Sequence, residues 1–246
     1  MKVIPIYLKE DVRTNSNLPN LILSSIRRAR YRLKNNDVLV VAHKIVSKAE
    51  GKVIDLVTVQ PSKRAINIAK KYRKDPRIVE LILRESRRIV KMERGIIITE
   101  TKHGFVCANA GIDKSNIRGN SVALLPDNPD RSADNIKRVL KKQTGKNTAV
   151  IISDTFGRPF RKGQVNVAIG IAGLNPFKDY RGTKDMFGKQ LKVTEIAVAD
   201  EIASAAELVM GKTDRVPVAI ITDFKYENKQ GTAKQLIRKR KYDLFR

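Results

Sequence analysis

Three segments of the sequence place charged, hydroxyl or amide side chains directly after apolar runs. In the segment 151–155, Asp154 and Thr155 follow Ile151 and Ile152. A carboxylate and a hydroxyl at the end of a rigid strand are hard oxygen ligands that suit a divalent cation. Asp154 would also serve as a cap for the turn that follows, so spacing alone leaves both interpretations open.

The other two segments supply amides and cations. Residues 109–116 are dense in Asn and Asp, which indicates either a ligand-binding cluster or a loop built from side-chain turns. Residues 44–51 follow the apolar run 38–42 and offer lysines at a loop or helix start. These lysines could bind phosphate or could be ordinary surface residues. Together, cation, amide and carboxylate are what a metal–nucleotide site needs.

Several other kinds of site are excluded. One cysteine, Cys107, and two histidines, His43 and His103, cannot build a tetrahedral zinc site, so any metal must have oxygen ligands, as Mg²⁺ and Mn²⁺ do. Cys107 lies in an apolar run and is expected in the core, and neither histidine suggests a Ser/His/Asp triad. The sequence 211–213 resembles the end of a P-loop, but Ala206 stands where that motif needs glycine, and no dinucleotide-binding fingerprint occurs.

The elements that must position these residues alternate irregularly along the chain. Apolar spacing predicts strands over 3–8, 38–42, 149–153 and 216–222, a hairpin of 95–99 with 104–107, and helices over 18–33, 62–72, 76–90, 132–143 and 196–210. Ser132 is the expected cap of the fourth helix. Without regular strand–helix–strand spacing, the pattern favours a mixed α/β (α+β) fold, formed as one domain, 1–246, of two interlocked lobes.

Composition limits the function without deciding it. The 246 residues include 50 Lys and Arg against 25 Asp and Glu, a net charge of +25, and 41% are hydrophobic. That charge indicates either an ion-paired surface or attraction for polyanions such as nucleotides or nucleic acid. The longest apolar run is far below the ~20 residues needed to span a bilayer, so no membrane partner is expected. The single cysteine and the lack of a signal-peptide pattern favour the cytoplasm.

Longer strings resemble the coenzyme F420 γ-glutamyl ligase family. The likeness covers roughly residues 36–246, in the same order as in the family. It is carried by the segments 40–51, 104–116, 152–159, 168–173, 179–182, 185–188, 194–211, 236–238 and 243–246.

The resemblance implies a two-lobed homodimeric enzyme with a fold of its own. Such an enzyme joins L-glutamate to the deazaflavin precursor of coenzyme F420 and then extends the product through γ-linked glutamates. It would use GTP, stimulating K⁺, and two Mg²⁺ or Mn²⁺ ions per subunit, the second of them left open, with no specific nucleic acid as a partner. By matching motif, Lys48 and Asp154 would be catalytic. A first metal would bind Asp113 and Asp154, and a second would bind Thr155. The residues that would contact GTP are His43, Lys44, Lys48, Asn116, Met210, Gly211, Lys212 and Thr213.

Two departures from the family pattern affect these expectations. The N-terminal loop 8–17 lacks the Gly-Leu-Pro or Gly-Ile-Pro step that lends backbone to the nucleotide. After Gly211, some relatives place a Glu or Gln that completes the second metal site, whereas this chain has Lys212. We expect Lys212 to turn away, so that Thr155, GTP and water hold the second ion; alternatively its ammonium replaces part of that ion's charge.

Two other functions stay open at this point. The charge would permit a basic nucleic-acid-binding protein, although aromatic residues are only 5% and no recognition module is present. The same fold could instead ligate glutamate to another acidic acceptor, such as a folate or pterin.

Overall fold

The structure is a computed structural model and describes residues 1–243. The strands are β1 (Lys2–Ile6), β2 (Val38–Ala42), β3 (Val53–Asp55), β4 (Ser86–Glu93), β5 (Ile96–Thr101), β6 (Val106–Ala108), β7 (Ser121–Ala123), β8 (Ala149–Arg158), β9 (Arg161–Ala172), β10 (Lys178–Asp179), β11 (Glu195–Ile196) and β12 (Val218–Thr222). The helices are α1 (Leu18–Arg28), α2 (His43–Ala49), α3 (Lys63–Tyr72), α4 (Pro76–Arg84), α5 (Pro129–Thr144) and α6 (Val198–Met210). Most of the family-like tail segment 243–246 lies outside the described residues.

A five-stranded mixed sheet forms the centre of the molecule, in the order β1-β12-β2-β8-β9. Only β2 and β8 pair in parallel; the other neighbours are antiparallel. The first four residues of β2 are buried, as expected for a run of Val and Leu in the middle of a sheet. Helices α1, α5 and α6 contribute apolar side chains to the same core as this sheet. The mixed α/β fold predicted from the sequence is confirmed.

Two smaller hydrophobic clusters lie outside that core. One joins α3 and α4 to the three-stranded antiparallel sheet β4-β5-β6. The other includes Leu56, Leu81 and Val122, and Val122 lies in the short β3-β7 pair. The predicted hairpin is present, because β5 pairs antiparallel with β6. The division into two interlocked lobes and the assignment of 1–246 as one domain stay predictions.

Three predicted helix boundaries are wrong. Helix α1 ends at Arg28 instead of residue 33, because Arg30 has a left-handed backbone (φ 54°) that stops the helix. Helix α4 ends at Arg84 instead of residue 90, and residues 86–93 pair with β5 as a strand. The apolar residues at the end of the predicted helix recur at a spacing that fits both a helix and a strand. The pairing with β5 makes this segment a strand.

Helix α5 begins at Pro129, three residues before the predicted cap Ser132. Asn128 is the cap, because its side chain accepts a hydrogen bond from the Arg131 N–H. Proline suits the first helical position, where its missing N–H would have no partner. Ser132 instead donates to the Glu50 carboxylate at 2.5 Å.

The edge strand β9 is held by contacts with α5 and the C-terminal segment. One oxygen of Asp130, in the first turn of α5, accepts from the Ile171 N–H at 2.8 Å and from the Ala233 N–H at 2.9 Å. Burial raises the pKa of this carboxyl, although both hydrogen bonds act in the opposite direction. Asp130 therefore joins α5, β9 and the segment that begins the C-terminal 3-10 turn.

None of the helices in residues 1–243 is both long enough and apolar enough to cross a membrane.

Gly170 in β9 provides a test of this packing. A Cβ atom at Gly170 would overlap the Pro129 carbonyl oxygen, and main-chain atoms cannot move aside cheaply. We expect Gly170→Ala to lower the free energy of unfolding by ~1–3 kcal/mol, as overpacking does. Urea unfolding measures this change. Gly157→Ala in β8 is the matched control, since a Cβ at Gly157 would meet no other atom of residues 1–243 within 4 Å. Equal losses of stability from the two substitutions would contradict the close contact of Gly170 with Pro129.

Candidate active site

The parallel pairing of β2 with β8 brings two of the three sequence segments together. Ala42 is the register partner of Ser153, so the residues that follow, His43 and Asp154, lie side by side. His43 Nε2 is 3.2 Å from Asp154 Oδ1, and the His43 side chain is buried. Within residues 1–243, His43 Nδ1 and the Ser153 hydroxyl have no hydrogen-bond partner, and the contact of Nε2 with Asp154 does not have hydrogen-bond geometry. This edge of the sheet therefore has unused polar groups around one carboxylate.

Helix α2 starts at the end of β2 and presents two lysines one turn apart. Lys44 Nζ lies 2.8 Å from Asp113 Oδ2 and donates to the Ser115 hydroxyl at 2.5 Å. Lys48 Nζ lies 3.0 Å from Asp11 Oδ1. These lysine side chains are only 18% and 16% exposed, which is unusual for lysine. They are not ordinary surface lysines, and each ammonium is paired with a carboxylate.

The segment 109–116 reaches the site through a turn with an unusual backbone. Asn109, Ala110 and Gly111 all have positive φ values. Gly111 has no room for a side chain, because a Cβ would lie 2.8 Å from Leu125. Asp113 then pairs with Ala123 through two main-chain hydrogen bonds, which fixes its position.

The Asp113 carboxylate is charged and contacts both Lys44 and Ser115. Burial is the largest influence on its pKa and raises it, but the Lys44 ammonium and the Ser115 N–H together lower the pKa below its usual value. Its carboxylate is therefore available as an anionic oxygen donor at neutral pH.

Strand β8 continues past the predicted end at Ser153 to Arg158, and Thr155 lies on this extension. The Thr155 hydroxyl donates to Asn166 Oδ1 at 2.7 Å and accepts from Lys212 Nζ at 2.7 Å. Lys212 Nζ also lies 3.4 Å from Asn166 Oδ1 and 3.5 Å from Glu207 Oε1. The expectation that Lys212 turns away is wrong: a hydroxyl, an amide oxygen and a carboxylate attract its ammonium to this position.

The remaining sequence candidates surround the same region. Asn116 has a left-handed backbone and donates to the Lys212 carbonyl at 3.1 Å, which joins the segment 109–116 to the end of α6. Gly211 caps α6 with φ 54°, and Thr213 is exposed beyond it. The side chain of Met210 is buried in the core, so only its main chain is free to face a ligand.

The donor atoms differ in how well they suit metal ions. Within residues 1–243, no group of three or more His, Cys, Asp or Glu side chains is placed to hold an ion. Asp113 and Asp154 nevertheless offer hard carboxylate oxygens, and the unpartnered atoms of His43 and Ser153 leave polar capacity beside Asp154. This chemistry fits a Mg²⁺ or Mn²⁺ ion. At Thr155 the ammonium of Lys212 contacts the hydroxyl, so a second divalent ion there would have to displace a positive charge.

Sequence reasoning missed several groups that complete this region. Asn166 is a buried polar residue in the apolar part of β9, and that contrast with its neighbours was a usable signal. Asp11 and Arg118 lie in irregular loops whose local sequence gives no indication of their contacts with each other. The approach of His43 to Asp154 follows only from the parallel pairing.

Cys107 is not a nucleophile. It is buried, and burial together with the negative charge of Asp154 raises the pKa of its thiol to about 12. A thiol protonated at neutral pH is a poor nucleophile, so the expectation that Cys107 belongs to the core is confirmed.

Comparisons with known proteins agree with the sequence resemblance. The F420-0:Gamma-glutamyl ligase family model matches residues 9–223. The coenzyme F420:L-glutamate ligase of Methanocaldococcus jannaschii is 50% identical over 89% of this chain and 88% of its own length. The proteins of the same name from Methanothermobacter thermautotrophicus and Methanopyrus kandleri are 47% and 44% identical, over 96% and 100% of this chain and 94% and 98% of their own lengths. The chain therefore belongs to the F420-0:gamma-glutamyl ligase family.

Proposed function

We propose that this protein is a GTP-dependent ligase that adds L-glutamate to the deazaflavin precursor of coenzyme F420 and extends the product with γ-linked glutamates. The observation that carries the proposal is the 47–50% identity, over most of the chain, with relatives named coenzyme F420:L-glutamate ligase. The gathering of two mostly buried lysines and two carboxylates at one sheet edge supports it. In the proposal the enzyme works in the cytoplasm.

The reaction determines what the site must do. A carboxylate does not form an amide at neutral pH without a better leaving group. Transfer of the γ-phosphoryl group of GTP to the precursor's carboxylate oxygen gives an acyl phosphate and GDP. The glutamate amine then attacks the acyl carbon, phosphate leaves, and the amine loses a proton. Lys44 and Lys48 would neutralise the charge that develops on the phosphates during the transfer.

A divalent ion has a place in this proposal. Asp113 and Asp154 would hold Mg²⁺ or Mn²⁺, and the ion would supply positive charge that neutralises the phosphate groups. Asp154 accepts a hydrogen bond from the Thr155 N–H at 2.7 Å, and this bond fixes the carboxylate toward the sheet edge. We propose one divalent ion per subunit at this position, because Lys212 takes the place of a second one at Thr155. We also propose that K⁺ stimulates the reaction, and we assign no residues to its binding.

Charge supports the choice of substrates. GTP, glutamate and the precursor's carboxylate are all anionic, and a net charge of +25 attracts them at long range. Lys44, Lys48 and Lys212 concentrate positive charge at the site itself.

The proposal includes a two-lobed homodimer. The hydrophobic clusters outside the main core support the lobes. Five large apolar side chains are 84–88% exposed, far more than a stable surface favours: Phe160, Met186, Phe187, Val193 and Leu208. Adjacent Met186 and Phe187 form the most exposed pair, and a second copy of the chain would cover them.

Replacement of Asp154 tests the reaction. Asp154→Asn keeps the shape of the side chain but exchanges a charged metal ligand for a neutral amide. We expect at least a ~100-fold loss of glutamate addition to the deazaflavin precursor, as the loss of several kcal/mol of charge stabilisation would give. Mass spectrometry of the product formed with GTP and Mn²⁺ measures it. Asp223→Asn, at an exposed carboxylate paired with Lys34, is the control; near-normal turnover by folded Asp154→Asn would leave Asp154 only a capping role.

Lys212 determines how many divalent ions bind. In the presence of GDP, we expect the wild type to bind one Mn²⁺ per subunit and Lys212→Glu to bind two, because the substitution removes a competing ammonium and adds a carboxylate. Electron paramagnetic resonance of free Mn²⁺ counts the bound ions without any need for turnover. Lys142→Glu on α5 makes the same charge change elsewhere. Two ions in the wild type, or one in Lys212→Glu, would contradict the replacement of an ion by Lys212.

The dimer is tested at its most exposed apolar position. Phe187→Asp should convert the dimer to monomers at micromolar concentration, because a buried unpaired carboxylate is costly at an interface. Sedimentation velocity measures the change. Ile66→Asp on α3 is the control, since Ile66 is only half exposed and lies outside the proposed interface. A dimer unaffected by Phe187→Asp would move the interface elsewhere, and a wild-type monomer would remove it.

A further inference from the structure

A carboxylate from the N-terminal loop bridges two cations that come from different parts of the chain. Asp11 Oδ1 lies 3.0 Å from Lys48 Nζ, on α2. Asp11 Oδ2 lies 3.3 Å from Arg118 Nε, in the loop that also carries Asp113 and Asn116. Each carboxylate oxygen therefore meets a different cation.

Positive charges gather around Asp11, although the Arg118 side chain is 86% exposed. The hydrogen bond from Lys48 is the largest influence on the pKa of Asp11 and lowers it, and the charges of Lys48, Arg118 and Arg13 act in the same direction against the effect of burial. Two cations thus contact this carboxylate, and Arg13 acts on it from farther away. The Lys48 ammonium is mostly buried, so it requires an anionic partner wherever the chain supplies one.

The loop that carries Asp11 is anchored by the residues that follow it. Val12, the next residue, is buried in the main core. The Asn15 N–H donates to the Ala49 carbonyl at the end of α2 at 2.9 Å, and this bond holds the loop beside Lys48. Asp11 itself is 40% exposed, so its side chain can rotate toward solvent without moving these anchors.

We propose that Lys48 and Arg118 together bind one phosphate group of the nucleotide, and that the Asp11 carboxylate occupies their site and is displaced when the nucleotide binds. This inference rests on the proposed function, which places the GTP phosphates at Lys48. Phosphate and carboxylate oxygens accept the same charge-assisted hydrogen bonds from an ammonium and a guanidinium. Asp11 is thus an internal competitor, and Arg118 is an additional phosphate-binding residue.

Displacement predicts opposite effects for the two residues. Asp11→Asn removes the competing charge with almost no change of shape, so GTP should bind about five-fold more tightly, the factor given by ~1 kcal/mol of a partly exposed ion pair. Arg118→Ala should weaken GTP binding by a similar factor. Guanosine, which has no phosphate, should bind the wild type and both variants equally.

Isothermal titration calorimetry of the full-length protein with GTP, guanosine and inorganic triphosphate measures these affinities. Asp134→Asn and Arg138→Ala are the matched controls, because these two residues form an exposed ion pair on α5. Thermal unfolding of each variant establishes that it is folded. Inorganic triphosphate should follow GTP, since the site recognises phosphate and not the base.

Lys48→Ala separates this inference from the proposed function. If Lys48→Ala weakens GTP binding while Asp11→Asn and Arg118→Ala behave like their controls, only the displacement inference is overturned. If Lys48→Ala also leaves GTP affinity unchanged, the nucleotide does not lie on α2, and both the inference and the proposed location of GTP fail. Weaker GTP binding by folded Asp11→Asn would likewise overturn the inference, because Asp11 would then assist the nucleotide.

Discussion

The parallel pairing of β2 with β8 is the constraint on which the site depends. Parallel strands end at the same edge, so His43 and Asp154 meet although they are more than a hundred residues apart. A parallel pair also requires a long crossover connection. Here the crossover contains α2 to α5 and the β4-β5-β6 sheet, and its segment 109–116 returns to the same edge with Asp113. The connection demanded by the topology therefore also supplies part of the site.

Electrostatics then determines how that edge is stabilised. Lys44 and Lys48 are too buried to rely on water, and each has a carboxylate within 3.0 Å. Lys212 lies among three oxygen groups of Thr155, Asn166 and Glu207. Removal of a carboxylate partner from Lys44 or Lys48 would leave a mostly buried ammonium without its partner, which is costly. The site is thus held by mutual neutralisation, within a chain whose surface carries a large excess of positive charge.

Sequence reasoning predicted the parts of the site that depend on local pattern. Apolar runs followed by Asp154 or by the lysines of α2 identified two strand ends that the structure does bring together. It failed where two patterns compete, as at Ile89, which fits a helix face and a strand equally until it pairs with Thr99 of β5. It also failed for Asp11, because the contact with Lys48 crosses 37 positions from an irregular loop that has no periodicity to read.

In the proposed function, binding of an anionic substrate at this site would be an exchange of partners. Each lysine ammonium already has an oxygen partner, so a phosphate group gains only the difference between its own interaction and the internal one. Rotation of an internal carboxylate into water recovers its hydration, which reduces the cost of the exchange. The long-range attraction from a charge of +25 is unaffected by this competition and acts mainly on the rate of association. In this proposal surface charge and site charge have separate physical roles: the first would bring anions to the protein, and the second would select which anions replace its own carboxylates.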